Sequence, residues 1–298
     1  MTDHTSTAPT TAAAPGSGSG SGPILITGAT GTTGQRLTKV LRARAAHVRE
    51  ASRHPRTDAG RHTHTHTSVH FDWNAPDTYP AALDGITRVY LLRPPRVTEA
   101  MPLLEQFLAA ANTAGVRRIV LLHSMVTGPA AMPEMPDAVM ASAPEWAILQ
   151  PSWFMQNFTG THPTAVALRE RGEIATAAGN GRVGFIDADD IAAAAAEVLL
   201  APEPPNTHYV LTGPETLSYP QIAKILSQIT ARPIRHLDLT PQQLTARWTA
   251  AGLPDNLAKA AADLDTAISQ GDYDYTTPTV KTLTGQQPRT FHDFASRH

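Results

Sequence analysis

From residue 23 onward the chain alternates between short apolar runs and stretches of helical length. Ile24–Ile26 is the first run, and GQRLTKVLRARAA beyond it puts Leu37, Val40 and Leu41 at helical spacing. HVREAS reads as a second strand. SVHFDW reads as a third, reached through a polar segment without a clear helix, and RVYLL as a fourth, ended by Arg93-Pro94-Pro95. VTEAMPLLEQFLAAANTAG reads as a helix closing on Gly115, VRRIVLLHS as a fifth strand and WAILQP as a sixth, stopped by Pro151. DADDIAAAAAEVLLA then opens a helix whose Asp187, Asp189 and Asp190 stand where an N-cap and the helix dipole favour carboxylates. HYVLTG follows as a late strand, SYPQIAKILSQIT as a helix, and the text from Pro241 onward as mostly helical. Strands alternating with crossover helices predict an α/β protein with a doubly wound parallel sheet. The expected division is a disordered tail or linker at 1–22, a sheet domain at 23–155 and a smaller lobe at 156–298 interleaved with the sheet.

Composition narrows the function classes. The 298 residues carry 26 acidic and 24 basic side chains, interspersed, with a net charge of −2, which argues against a coat for nucleic acid or an acidic membrane. Cysteine is absent, so disulfides, thiolate metal sites and a cysteine nucleophile are excluded. No apolar run reaches the roughly 18 residues that span a bilayer, and the Gly/Ser/Thr-rich start has no secretory pattern. A cytoplasmic protein acting on a small molecule is the expectation, with no nucleic-acid or membrane partner.

The loop Gly28-Ala-Thr30-Gly31-Thr32-Thr33-Gly34 follows a strand and opens a helix. Glycines there permit a tight turn and close approach of the backbone to a pyrophosphate, which the helix N-terminus receives. Gln35-Arg36 follow where a Walker loop needs Lys-Ser/Thr, so the ligand is a dinucleotide and the sheet is of Rossmann type. An NAD site usually places a carboxylate at the tip of the second strand. Here the tip reads Ser52-Arg53-His54-Pro55-Arg56, and Glu50 lies inside the strand. Arg53, with Ser52 or Arg56 assisting, suits a 2′-phosphate, and the cofactor expected is NADP(H).

With ITGATGTTG, ASRHP, FDW, LQPSWFMQNF and GFIDADDIAAAAAEVL in view, the chain resembles the NmrA-like atypical short-chain dehydrogenase/reductases. Within them it is most similar to the agroclavine dehydrogenase/festuclavine synthase branch. The resemblance implies that Asp72 lies near the adenine, that Leu92 and Pro94 run along the cofactor, and that Pro151 to Phe154 stand beside the nicotinamide. Short-chain dehydrogenases usually carry a Tyr-x-x-x-Lys pair after the fifth strand. This chain has four lysines, Lys39, Lys224, Lys259 and Lys281, and no tyrosine between Tyr90 and Tyr209, so the pair is missing. Ser124 and His123 end the fifth strand. They are the candidate catalytic residues, with plain hydrogen bonding to the cofactor as the alternative.

That absence bears on the reaction. Ketone reduction creates an alkoxide that needs a proton donor, whereas reduction of an iminium gives a neutral amine and needs only positioning. The reaction expected is NADPH-dependent hydride delivery to a cyclic iminium. The alternatives are a quinone or enone acceptor, and a non-catalytic NADP(H) sensor. Trp153, Phe154, Met155 and Phe158 follow a strand end, where open α/β sheets place their crevice, and line either a substrate pocket or an interface core. His62, His64 and His66 alternate, with His70 beyond, but no carboxylate or cysteine completes a ligand set, and no metal is expected.

Overall fold

Apolar on both faces, β1 (Ile24–Ile26) is fully buried and pairs in parallel with β2 (Val48–Ser52) on one side and β4 (Arg88–Leu92) on the other. The computed structural model in which this is seen describes residues 22–55, 66–94, 100–126 and 132–298, so residues 1–21, Arg56, His62 and His64 lie outside it. β3 (His66–His70) extends the sheet beyond β2, and β5 (Arg118–Leu122) and β6 (Glu145–Pro151) extend it beyond β4, all in parallel. A late strand, Thr207–Leu211, pairs in parallel with β6 and completes a seven-stranded sheet. Chain order reverses between β1 and β4, the switch point where an open α/β sheet opens a crevice at its carboxyl ends.

The third strand starts two residues earlier than the pattern predicts and excludes the aromatics. Phe71 and Trp73 leave the sheet to pack with Tyr79 and Phe107, ring centroids 5.2–5.7 Å apart for each pair but Trp73–Tyr79. The Tyr79 hydroxyl donates to the Trp73 carbonyl at 2.8 Å. His66 therefore belongs to an edge strand and not to the connection before it.

One face of the sheet is covered by α2 (Tyr79–Leu83), α3 (Ala100–Thr113) and α4 (Glu134–Ser142). α1 (Gly34–Ala43) and α6 (Ala188–Leu200) cover the other. Ala192, Ala194, Ala195 and Ala196 of α6 are wholly buried, and their small side chains let the helix lie close to the strands. Both ends of α6 are satisfied. Asp187 caps the start, accepting from the Asp189 amide at 3.0 Å. Arg118, itself buried in β5, donates at the far end to the carbonyls of Val198, Leu199, Ala201 and Glu203 and pairs with Glu145.

The C-terminal lobe is built from α5 (Pro163–Arg171), β7 (Glu173–Thr176), β8 (Arg182–Val183), β10 (Leu217–Ser218), α7 (Tyr219–Thr230) and β11 (Arg235–Asp238), with the Thr207–Leu211 strand counted as β9. Two small sheets, β11 with β7 and β10 with β8, hold it together. The hairpin of α8 (Pro241–Ala250) and α9 (Asp255–Gln270) packs beside them, and α10 (Thr279–Thr284) and α11 (Phe291–Ala295) return to α6 and α7.

Asp265 of α9 ties this lobe together. Its carboxylate accepts the Ala177 amide at 2.8 Å, and burial pushes its pKa up to about 6. A pKa raised on folding means that the native state holds the proton longer than the unfolded chain, so stability falls as pH rises from about 4 to about 6. Asp265→Asn keeps an acceptor for the amide and removes the charge. It should raise unfolding free energy by roughly 1–3 kcal/mol at pH 8 and leave it unchanged near pH 4. Urea unfolding of both proteins at the two pH values measures this.

Candidate active site

The glycine loop leaves β1 at the switch point. Gly28 turns the chain with φ of +61°, a region that favours glycine. A Cβ on Gly34 would stand 2.3 Å from the Gly28 carbonyl oxygen and 2.9 Å from the Ala29 Cα, so the loop closes on itself only with glycine at that point. Thr33 stands at the N-cap of α1 without a side-chain cap, and the first turn holds no acidic residue. Among the described residues the amides of Thr32, Thr33 and Gly34 have no acceptor. Donors left open at a helix N-terminus, under a backbone that admits close approach, fit a pyrophosphate. Below the loop, Thr27 fastens β1 to β4: its hydroxyl donates to the Tyr90 carbonyl and accepts the Leu92 amide at 2.8 Å.

A cleft of about 350 Å³ runs from this loop across the ends of β2 and β4, bringing together Gly28, Thr30, Gly31, Arg53, Asp72 and Leu92. Arg53 is exposed, and among the described residues its guanidinium pairs with no carboxylate. Glu50 is turned away and held by Arg42. Asp72 sits between the buried Phe71 and Trp73, which fix it in the cleft, and one carboxylate oxygen accepts the Asn74 amide at 2.9 Å. Pro94 is buried at the end of β4, beside the cleft residue Arg93.

Past the switch point, the ends of β5 and β6 run side by side. The His123 amide donates to the Leu149 carbonyl and the Met125 amide to the Pro151 carbonyl. Burial, then the charge of Arg93, then His208, lower the His123 pKa from its usual value, which favours the neutral ring. The Ser124 hydroxyl accepts the Val126 amide at 3.1 Å, a turn contact. Trp153 and Phe154 are half-buried, whereas Met155 is 1% exposed and belongs to the lobe core. Phe158 packs edge-on to Phe291 and Phe185 at 5.1 and 5.6 Å. Sequence reasoning missed Tyr273, whose ring meets Trp153 edge-on at 4.9 Å from 120 residues away.

Asp187 does more than cap α6. Asp187 is fully buried, accepts Gln156 Nε2 at 2.7 Å and is ion-paired with Arg289. Gln156 in turn accepts the Ala188 amide at 3.0 Å, and Arg36 of α1 reaches Asp189 at 2.7 Å. Burial pushes Asp190, which accepts the Arg289 amide, up to about 6. This network joins the turn after Pro151, the start of α6 and the helix of the glycine loop. Among the described residues no group of His, Asp or Glu is arranged to hold a metal ion, and no helix is long and apolar enough to cross a membrane.

Residues 28–202 match the family described as NAD(P)H-binding. An oxidoreductase of Bacillus subtilis is 38% identical over 279 residues, covering 93% of this chain and 95% of its own. The NAD(P)H azoreductase of Xenophilus azovorans is 35% identical, with 92% of this chain and 97% of the relative covered. Agroclavine dehydrogenase of Claviceps fusiformis is 33% identical, with 92% and 96% covered. Among solved structures, the NADPH-dependent quinone oxidoreductase of Escherichia coli in complex with NADPH superposes with a TM-score of 0.81 at 25% identity, over 92% of this chain and 99% of that one. NmrA, a negative transcriptional regulator, shares the fold with a TM-score of 0.74 at 15% identity, over 93% of this chain and 95% of that one.

Proposed function

Because the chain belongs to the NAD(P)H-binding family and is an NAD(P)H-dependent oxidoreductase, we propose that it draws on NADPH and delivers hydride to a cyclic iminium without an essential acid from the protein. Bound NADPH supplies the hydride from its nicotinamide C4. The residues would supply position: the glycine loop and the open amides of α1 would hold the pyrophosphate, Arg53 the 2′-phosphate and Asp72 the adenosine end. Pro151, Trp153 and Phe154 line the reacting end. Hydride added to the iminium carbon would turn the C=N π electrons into the nitrogen lone pair, giving a neutral amine with no proton required from the protein.

The observation that carries this reading is the missing Tyr-Lys pair: no tyrosine stands between residues 90 and 209, and the residues that follow β5 are the half-buried His123 and Ser124. Among the relatives, the agroclavine dehydrogenase supports an alkaloid acceptor. A quinone is the second reading. It is favoured by the likeness to the Escherichia coli quinone oxidoreductase, and a quinone also spreads the incoming charge before it takes a proton. The NmrA likeness is one of fold alone.

NADPH oxidation against cyclic iminium ions, quinones and simple ketones tests the proposal. Iminium ions are expected to turn over fastest, with His123→Ala and Ser124→Ala slowing them less than tenfold, whereas removal of an obligatory acid costs about 10²–10⁴-fold. Fast ketone reduction abolished by His123→Ala would overturn it.

Cofactor choice gives a separate prediction. A charge-assisted contact to the 2′-phosphate is worth roughly 1.5–3 kcal/mol, about ten- to a hundredfold. NADPH should bind more tightly than NADH by that factor, and Arg53→Ala should remove most of the difference. Calorimetric titration of both cofactors into both proteins measures it, and equal affinities in the unmutated protein would rule out the assignment.

A further inference from the structure

The lobe holds a second cavity that shares no lining residue with the dinucleotide cleft. It encloses about 360 Å³ between α5, the end of α7, the start of β11 and α11. That volume lies in the range of small-molecule sites. Much of its lining is apolar: Phe158, Leu168, Leu226, Ile234 and Phe294 all contribute to it. Phe158 spends one side of its ring on Phe185 and Phe291, so the aromatic wall is fixed by the lobe core and not by a mobile surface residue. His298, also in the lining, stacks on Phe294 at 4.5 Å between centroids.

The rim carries the second observation. Arg169, in the last turn of α5, and Arg232, in the loop between α7 and β11, both line the cavity and are both exposed. Neither pairs with a carboxylate among the described residues, although nearby Arg171, Arg235 and Arg247 all reach Glu173. No Asp or Glu side chain lines the cavity. An apolar slot with aromatic walls suits a flat ring, and two lining guanidinium groups that pair with no Asp or Glu among the described residues suit one anionic group. We propose that this cavity is a binding site for a flat aromatic molecule bearing a single carboxylate or sulfonate, separate from the site of hydride transfer.

The proposal concerns binding and stands whether or not the iminium reading holds. Naphthalene-2-carboxylate and naphthalene-2-sulfonate, titrated by calorimetry into the full chain saturated with NADP⁺, should each bind one to one. Arg169→Glu combined with Arg232→Glu should weaken that binding at least tenfold, because both charges are reversed. Leu226→Trp, which fills the slot, should weaken it at least as much. Both variants should bind NADP⁺ as the unmutated protein does, which reports that they are folded. If Leu226→Trp does not fold, the surface double variant decides alone. Absence of saturable binding, binding lost once NADP⁺ occupies its own cleft, or binding that the double variant leaves unchanged would each overturn the proposal.

Discussion

Gly34→Ala is expected to weaken NADPH binding about a hundredfold while leaving the protein folded. The added Cβ would lie 2.3 Å from a backbone carbonyl oxygen and 2.9 Å from a backbone Cα, neither of which can rotate away as a side chain does. Overpacking of this kind costs about 1–3 kcal/mol, and here the strain falls on the loop that meets the pyrophosphate. At about 1.4 kcal/mol per tenfold, the upper part of that range is a hundredfold. Gly31→Ala is the internal comparison: its Cβ would stand 3.2 Å from the Gly28 oxygen, so the neighbour yields by a few tenths of an ångström and the loss should be smaller. Calorimetric titration with NADPH, beside thermal midpoints, separates lost binding from lost folding. Unchanged affinity in Gly34→Ala would show that the loop does not hold the cofactor.

Asp187→Ala is expected to cost about 3–5 kcal/mol of stability, the largest effect of any single exchange considered for this chain. The side chain is fully buried and serves three partners: the Asp189 amide at the start of α6, the Gln156 side chain and the Arg289 guanidinium. Alanine leaves Arg289 facing Asp189 at 3.2 Å and Gln156 Nε2 without its acceptor. Asp187→Asn retains an oxygen for the cap and for Gln156 but turns an amide NH2 toward Arg289 in place of the accepting carboxylate oxygen, so its cost should fall between that of alanine and none. Because Gln156 lies in the turn after Pro151, both variants should also raise the Michaelis constant for the reduced substrate more than they weaken NADPH binding. Urea unfolding and steady-state kinetics of the pair check the order. A stability equal to that of the unmutated protein would mean that the network is ornamental.

The sheet was largely legible because parallel strands covered on both faces read as unbroken apolar runs: RVYLL, VRRIVLLHS and WAILQP all became strands. The short elements were not. α4 carries prolines at its start and within its first turn, α5 is a nine-residue helix dense in arginine, and β8 and β10 are two residues each, too short for any periodicity. The third strand was misplaced because Phe71 and Trp73 look like strand residues, yet they serve an aromatic cluster with Tyr79 and Phe107.

For the site, the end that meets the phosphates could be read in advance, since a glycine loop and a strand tip are local features. Arg289 against Asp187 and Tyr273 against Trp153 pair residues roughly a hundred or more positions apart, and no spacing in the text announces them. Gln156 is the nearest to a missed signal: it stands inside LQPSWFMQNF, a motif noticed for its aromatics and not for the amide that holds it to α6.

The central claim is direct hydride transfer from NADPH to an electron-poor carbon without a protein acid. Its most direct measurement uses NADPH deuterated on one face of the nicotinamide C4, a preformed cyclic iminium, and the unmutated, His123→Ala and Ser124→Ala proteins. Deuterium is expected on the product carbon from one of the two labelled faces only, at rates within tenfold of one another in all three proteins. Tight NADPH binding with no label passed to an iminium, a quinone or an enone would contradict it, as would label transfer that vanishes when His123 is replaced.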